Sequence, residues 1–132
     1  MRYLGIDYGN RKVGLAISDE AGSFAFPYQV VKNEGVDKLV GQIEKICDNE
    51  GIGVIILGES LDLSGQANPI QKDILVLKEK LEQETGREII LQKEFFTTQE
   101  ARRGIDEDGT DLATDARAAA LILKSYLDRG QH

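Results

Sequence analysis

Hydrophobic period changes near residue 35, and that change limits the fold more than any other feature. Before it, apolar residues follow a strand-like period of two. After it, segments of helical period alternate with short apolar runs. Residues 2–7 (RYLGID) read as a short apolar strand. Residues 12–19 (KVGLAISD) alternate Val13, Leu15 and Ile17 against Gly14, Ala16 and Ser18. A turn, Tyr8-Gly9-Asn10-Arg11, joins the two. Residues 24–31 (FAFPYQVV) form a third strand. Pro27 has no N–H for a ladder, which predicts that this strand lies at an edge.

Beyond the change, Val36, Leu39, Val40, Ile43, Ile46 and Cys47 mark an amphipathic helix over 36–49. Residues 53–57 (GVIIL) are a continuous apolar run, expected of a strand buried on both faces. A polar loop follows at 58–68 (GESLDLSGQAN). Asn68 then caps a helix with Pro69 in its first position, running through Ile70, Ile74, Leu77 and Leu81 to Gly86. Residues 88–92 (EIILQ) are a fifth strand. A short helix is expected near Thr97, a turn at 104–110, and a last helix from about 111 to 128. Three linked strands followed by alternating helix and strand imply an α/β fold with a five-stranded mixed sheet covered by helices. The right-handed crossover rule places strand one beside strand four, giving the order 3-2-1-4-5. At 132 residues the chain suits one domain, 1–132, with one sizeable core.

Composition narrows the chemistry. The one histidine is His132, so mechanisms built on a histidine base or a histidine-rich metal site are nearly excluded. The one cysteine, Cys47, forms no intramolecular disulfide and fits a reducing, cytoplasmic setting. Its place on an apolar helix face predicts a buried, inert thiol. No segment approaches the roughly 20 apolar residues of a membrane span, and the N-terminus runs straight into a strand pattern without a signal peptide. The formal net charge of −7 counts against broad basic contact with nucleic acid. It leaves room for an enzyme whose metal ions bring positive charge to a phosphate.

Ligands of such sheets bind beyond the carboxyl ends of the strands, and three acids fall there. Asp7 ends strand one, Glu59 follows strand four and Glu94 follows strand five. Asp7 alone reads equally well as a turn residue. However, Gly9 permits close approach of a ligand, and the small row Gly14, Ala16, Ser18 leaves space beside it. Asp115 shares a helix face with Ala118, Ala119, Ile122 and Tyr126. A carboxylate there is costly unless paired or metal-bound; the alternative is an acid placed against the helix dipole. Thr97 and Glu100 fit a capping box and have a structural explanation. Together the acids suit Mg2+ or Mn2+, hard ions that prefer oxygen ligands. Asp7, Glu94 and Asp115 are the expected catalytic set, with Glu59 a fourth metal ligand. Free N–H groups of the loop around Ser64 can hold a phosphate. Arg11, Lys12, Lys93, Arg102 and Arg103 lie where they can contact backbone phosphates; of these Arg11, Lys12 and Arg102, with Ser64, are the expected substrate-binding set.

The motif G-I-D-Y-G-N-R-K-V-G-L-A-I-S-D resembles the opening of the YqgF family, pre-16S rRNA nucleases also called Holliday-junction resolvase-like proteins. E-F-F-T-T-Q-E-A resembles its acid and Thr-rich segment, and D-A-R-A-A-A-L-I-L-K-S-Y-L its C-terminal helix. The resemblance spans nearly the whole chain, in order. It implies a ribonuclease H-like fold, cytoplasmic metal-dependent nuclease action, and trimming of the 5′ end of the small-subunit ribosomal RNA precursor. By motif position Asp7, Glu94 and Asp115 match the family's acids. The chain departs from the family where Lys93-Glu94-Phe95 replaces Asp-Glu-Arg and Gly58-Glu59-Ser60 replaces Gly-Leu-Pro. One competing expectation is a resolvase of four-way DNA junctions, which requires two active sites and hence a homodimer. Another is a non-catalytic nucleic-acid-binding module of the same fold. The G-I-D-Y-G opening also resembles the phosphate-binding strand of actin-like ATPases, which need two such domains where this chain offers one.

Overall fold

The computed structural model of the chain describes residues 1–61, 70–95 and 111–130, with side chains left undescribed at 60, 61, 94, 95, 111–115 and 130. Its elements are β1 (Arg2–Asp7), β2 (Lys12–Ser18), β3 (Ala25–Lys32), α1 (Val36–Glu50), β4 (Ile52–Leu61), α2 (Gln71–Thr85), β5 (Glu88–Phe95) and α3 (Asp111–Gly130). One five-stranded sheet has the order β3-β2-β1-β4-β5, the order expected from the sequence. β1 pairs antiparallel with β2 and parallel with β4, so it is central. The expected helix start at Asn68 and Pro69, the short helix near Thr97 and the turn at 104–110 lie outside the described residues.

Strand alternation sorts the side chains into two layers. On one face Leu4, Ile6, Val13, Leu15, Ile55 and Leu57 pack against Leu39 and Ile43 of α1 and Ile74, Leu77 and Leu81 of α2. On the other, Ala16, Val54 and Ile56 pack against Ala119, Ile122, Leu123 and Leu127 of α3. GVIIL feeds both layers, which is why it reads as an unbroken apolar run.

Pro27 does lie in an edge strand. Leu15 partners Gln29 while Ala16 partners Pro27, which leaves Tyr28 as an added residue. Such a bulge twists an edge away from further pairing. The Tyr28 hydroxyl donates to Glu50 Oε2 at 3.1 Å, tying the edge to the end of α1. β4 and β5 extend past the expected 57 and 92, because Gly58 through Leu61 pair with Gln92 through Phe95. Main-chain ladder bonds form whatever the side chain, so an apolar pattern does not mark where pairing stops.

Cys47 is fully buried against the α1–α2 layer. Burial pushes its thiol up to about 11, which suppresses the reactive thiolate. Iodoacetamide at pH 8 should therefore leave the folded protein unmodified and alkylate it fully in denaturant. Labelling is read by intact mass; fast labelling of the folded chain would contradict the buried placement.

Candidate active site

The site end of the sheet is defined by the last residue of β1. Asp7 is half-buried and pairs with Gly14 of β2. Alternation from Tyr3 and Gly5 directs it to the α3 face. A Cβ on Gly5 would stand 2.8 Å from Leu123 Cβ and 2.9 Å from the Ala119 carbonyl oxygen. Only glycine lets the helix lie this close to β1.

Contacts along the two elements fix their relative direction. The rings of Tyr3 and Tyr126 lie 5.8 Å apart, and Gly5 lies beneath Ala119 and Leu123. The helix thus descends as β1 rises. The next residue of β1 on this face, Asp7, therefore falls at the level of the helical turn from 115 to 119. Asp115 is one turn before Ala119, in the row of Ala119, Ile122 and Tyr126. The buried stripe of α3 is Ala116, Ala119, Ile122, Leu123 and Leu127, with Ala118 only half-buried, so the expected apolar face is rotated slightly.

β5 follows the same parity. Ile89 and Leu91 pack with the α1–α2 layer and Ile90 with the α3 layer. Position 94 belongs to the row of Ile90 and Gln92, and its backbone pairs with Ser60. The backbone thus brings positions 7, 94 and 115 to one end and one face of the sheet.

Glu59 goes elsewhere. Ile55 and Leu57 face the α1–α2 layer, and two residues on Glu59 keeps that face. Its Oε2 accepts a 2.8 Å hydrogen bond from Nε2 of Gln71, the first residue of α2. The expectation of Glu59 as a metal ligand beside Asp7 is corrected on this point: one residue of strand register puts the sheet between them. Lys93 pairs with Glu59 and shares its parity, so it too lies off the face of Asp7. Gln71 was not singled out by sequence reasoning, since nothing local marks a glutamine as the partner of a strand-end acid. Replacing Glu59 with Gln should leave cleavage within about 2-fold of wild type and cost about 1 kcal/mol, the scale of one hydrogen bond. A cleavage assay beside a urea melt reads both.

The turn after Asp7 is held from below. Asn33 Nδ2 donates to the Gly9 carbonyl at 2.9 Å, and Asn33 N–H to the Arg11 carbonyl at 2.8 Å. A Cβ on Gly9 would meet the Lys12 carbonyl oxygen at 2.5 Å, so this turn also requires glycine. Arg11 is exposed on it. Lys12 begins β2, two residues from Gly14 and on the face of Asp7. Ser64 and Arg102 lie outside the described residues.

Asp7 is a half-buried oxygen donor facing a row without bulk, Gly14 and Ala16, and a hard divalent cation fits that chemistry. Among the described residues no three acids gather as a metal site; the side chains at 94 and 115 are not among them.

Comparison with known proteins bears on the family and the fold. Residues 1–129 match the family described as "RuvX: Holliday junction resolvase". The chain belongs to this family. A protein of Anaplasma marginale (strain St. Maries) named "Putative pre-16S rRNA nuclease" is 33% identical, across 96% of this chain and 84% of its own length. One of the same name from Desulforudis audaxviator (strain MP104C) is 32% identical, across 97% of this chain and 94% of its own. Membership makes the chain a nuclease, a hydrolase of phosphodiester bonds. Among solved structures, T. thermophilus RuvC in complex with Holliday junction substrate aligns with a TM-score of 0.64 at 17% identity, covering 99% of this chain and 96% of that one. Fowlpox virus resolvase, solved with Holliday junction DNA, aligns at 0.58 and 11% identity over 100% of both chains. At such identity these likenesses speak for the fold alone, which is ribonuclease H-like.

Proposed function

We propose that the RuvX-family chain trims the 5′ end of pre-16S rRNA, with Mg2+ or Mn2+ held by Asp7, Glu94 and Asp115. The observation that supports this reading is the register of β1, β4 and β5 with the seat of α3, which puts the three positions on one face at one end of the sheet. A bound divalent ion supplies positive charge at the reacting phosphate and lowers the pKa of water.

The protein's own part is placement. Asp7 and Glu94 sit on strand ends, which hold a carboxylate more firmly than a loop does. Asp115 enters from the first turns of α3, whose close seat over Gly5 sets its height. Lys12, on the same face, offsets charge on a phosphate next to the cleaved one. No histidine is needed to move a proton. Substrate enters from solvent beyond the carboxyl ends of the strands, the usual position for ligands of open sheets. The whole chain, 1–132, acts as one nuclease domain in the cytoplasm; among the described residues no helix is long and apolar enough to cross a membrane.

The names of the curated relatives support RNA as the substrate. The test is a single cleavage assay. RNA spanning the 5′ end of pre-16S rRNA, unstructured RNA and a four-way DNA junction are each incubated with magnesium, manganese or EDTA. Cutting of the precursor RNA at its 5′ side, dependent on metal, is the expected result. Symmetric cutting of the junction with no action on RNA would replace this reading with a dimeric resolvase. Binding without cutting would reduce the chain to a binding module.

A further inference from the structure

We infer that Gln92 is a positioning residue of the metal site, its buried amide hydrogen-bonding the hydration shell of the divalent ion on the β5 side of Asp7. This inference rests on the nuclease reading above and adds a neutral partner to its three acids.

Three polar residues are buried among the described ones: Ser18, Gln71 and Gln92. Two of them have partners in the protein. Ser18 Oγ accepts from the Tyr3 N–H at 2.8 Å and donates to the Asp19 carbonyl at 2.8 Å. Gln71 Nε2 donates to Glu59. Gln92 is only 5% exposed, and among the described residues its side-chain amide makes no hydrogen bond. Nor is the amide sealed into the core: among the described residues the side-chain polar atom cut off from both solvent and partner is Arg2 Nε. An amide taken out of water without a hydrogen bond is costly, and folded proteins give nearly all such groups a protein or water partner. The partner of Gln92 is then water or something bound from solution.

Register places that partner. Gln92 pairs with Gly58 across the β4–β5 ladder. Ile6 pairs with Leu57 in the parallel β1–β4 ladder, so the residues that follow, Asp7 and Gly58, stand level. Asp7 in turn pairs with Gly14. One row therefore crosses the sheet as Gly14, Asp7, Gly58 and Gln92. It lies on the α3 face: a Cβ on Gly58 would meet Ile122 of α3, and Ile90, one strand repeat before Gln92, packs in the α3 layer. Asp7 and Gln92 are the two members of this row with side chains. Two strand spacings separate them, about 10 Å between Cα atoms, and the residue between them is a glycine. Position 94 follows Gln92 by one strand repeat on the same face. The amide thus stands in the floor of the site, between positions 7 and 94.

The chemistry fits an ion's surroundings. Mg2+ keeps several of its waters when bound by few carboxylates, and outer hydrogen-bond partners hold such a shell in place. An amide offers both a donor and an acceptor. It does so without adding charge where acids already gather.

The experiment titrates the full chain with Mn2+ in the absence of nucleic acid and follows free Mn2+ by electron paramagnetic resonance. Gln92→Met keeps the length of the side chain and removes the amide. It should bind Mn2+ about 10-fold more weakly than wild type, the scale on which loss of an outer partner acts. Its melting temperature without metal should not fall, since an unpaired buried amide is replaced by an apolar chain. The Mn2+ concentration for half-maximal RNA cleavage should rise by the same factor. Gln92→Glu puts a carboxylate in the row and should bind Mn2+ at least about 3-fold more tightly, as added ligand charge does. Unchanged Mn2+ affinity in Gln92→Met would overturn the inference and leave the nuclease reading intact. Should Gln92→Met fail to fold, Gln92→Glu decides alone, and affinity no higher than wild type would overturn the inference. Wild-type protein that binds no Mn2+ would overturn both the inference and the metal set on which it rests.

Discussion

Replacing Asp7 with Asn should leave a folded protein that cuts RNA about 10^3-fold more slowly or worse. The side chain keeps its shape and loses its charge. If Asp7 holds the metal, the loss falls on charge stabilisation at the reacting phosphate, which supplies a large share of the barrier reduction. Stability should move the other way. Asp7 is half-buried at the end of β1, on the same face and at the same end of the sheet as positions 94 and 115. On the metal-site reading several carboxylates gather there and repel one another without metal, so neutralising one relieves strain in the metal-free protein. Thermal melts should show the variant equal to or slightly above wild type without magnesium, and deprived of the increment that magnesium gives wild type. A purely local role gives the opposite pair of results. If Asp7 only closes the turn toward Arg11, its loss costs about 0.5–2 kcal/mol and spares cleavage. An active but destabilised variant would therefore end the metal-site reading.

Gly5→Ala should be among the most damaging single methyl groups in the described fold. The new Cβ meets a helix carbonyl oxygen and the Cβ of Leu123, both under 3 Å away. Neither is the end of a flexible side chain, so α3 itself must lift from the sheet. Overpacking of this kind costs about 3 kcal/mol, a large part of the roughly 5–15 kcal/mol that holds a domain together. Activity should fall beyond what unfolding explains, because the helix that lifts is the one carrying Asp115. Gly58→Ala is the informative control. Its nearest neighbours would all be atoms of the Ile122 side chain, Cδ1 at 2.5 Å and Cγ1 at 3.2 Å, and the tip of that side chain can turn aside. Urea melts and cleavage at saturating magnesium should show the Gly5 variant clearly worse in both. Equal behaviour of the two would mean that α3 is not seated on β1 as described.

The order of elements and the sheet topology were legible in the sequence, because both follow from period and chirality. The alternation of Val13, Leu15 and Ile17 against small residues announced a strand with one crowded and one open face. Pro27 announced the edge, since a missing N–H has a local consequence. Asp7 was legible as the end of a strand, and the three motifs pointed to the family that the comparison bears out. Glu59 was misread for a physical reason. Its position after an apolar run locates it at the right end of the sheet, but that run is buried on both faces and so hides the parity. Only the register of β4, and the 2.8 Å bond to Gln71, assign it to the α1–α2 side. The pairing of Lys12 with Lys32 was hidden for a similar reason: the two lie 20 residues apart in sequence, and only the β2–β3 ladder makes them neighbours.

The sequence by itself determined which segments are strands and helices, how they are ordered, and which residue types are present for chemistry, because those are properties of local pattern. The tertiary structure decided which acids share a face, how closely α3 approaches β1 and which lysines oppose one another. These are matters of register and contact between segments far apart in the chain, and a shift of one residue reverses the face of every side chain that follows.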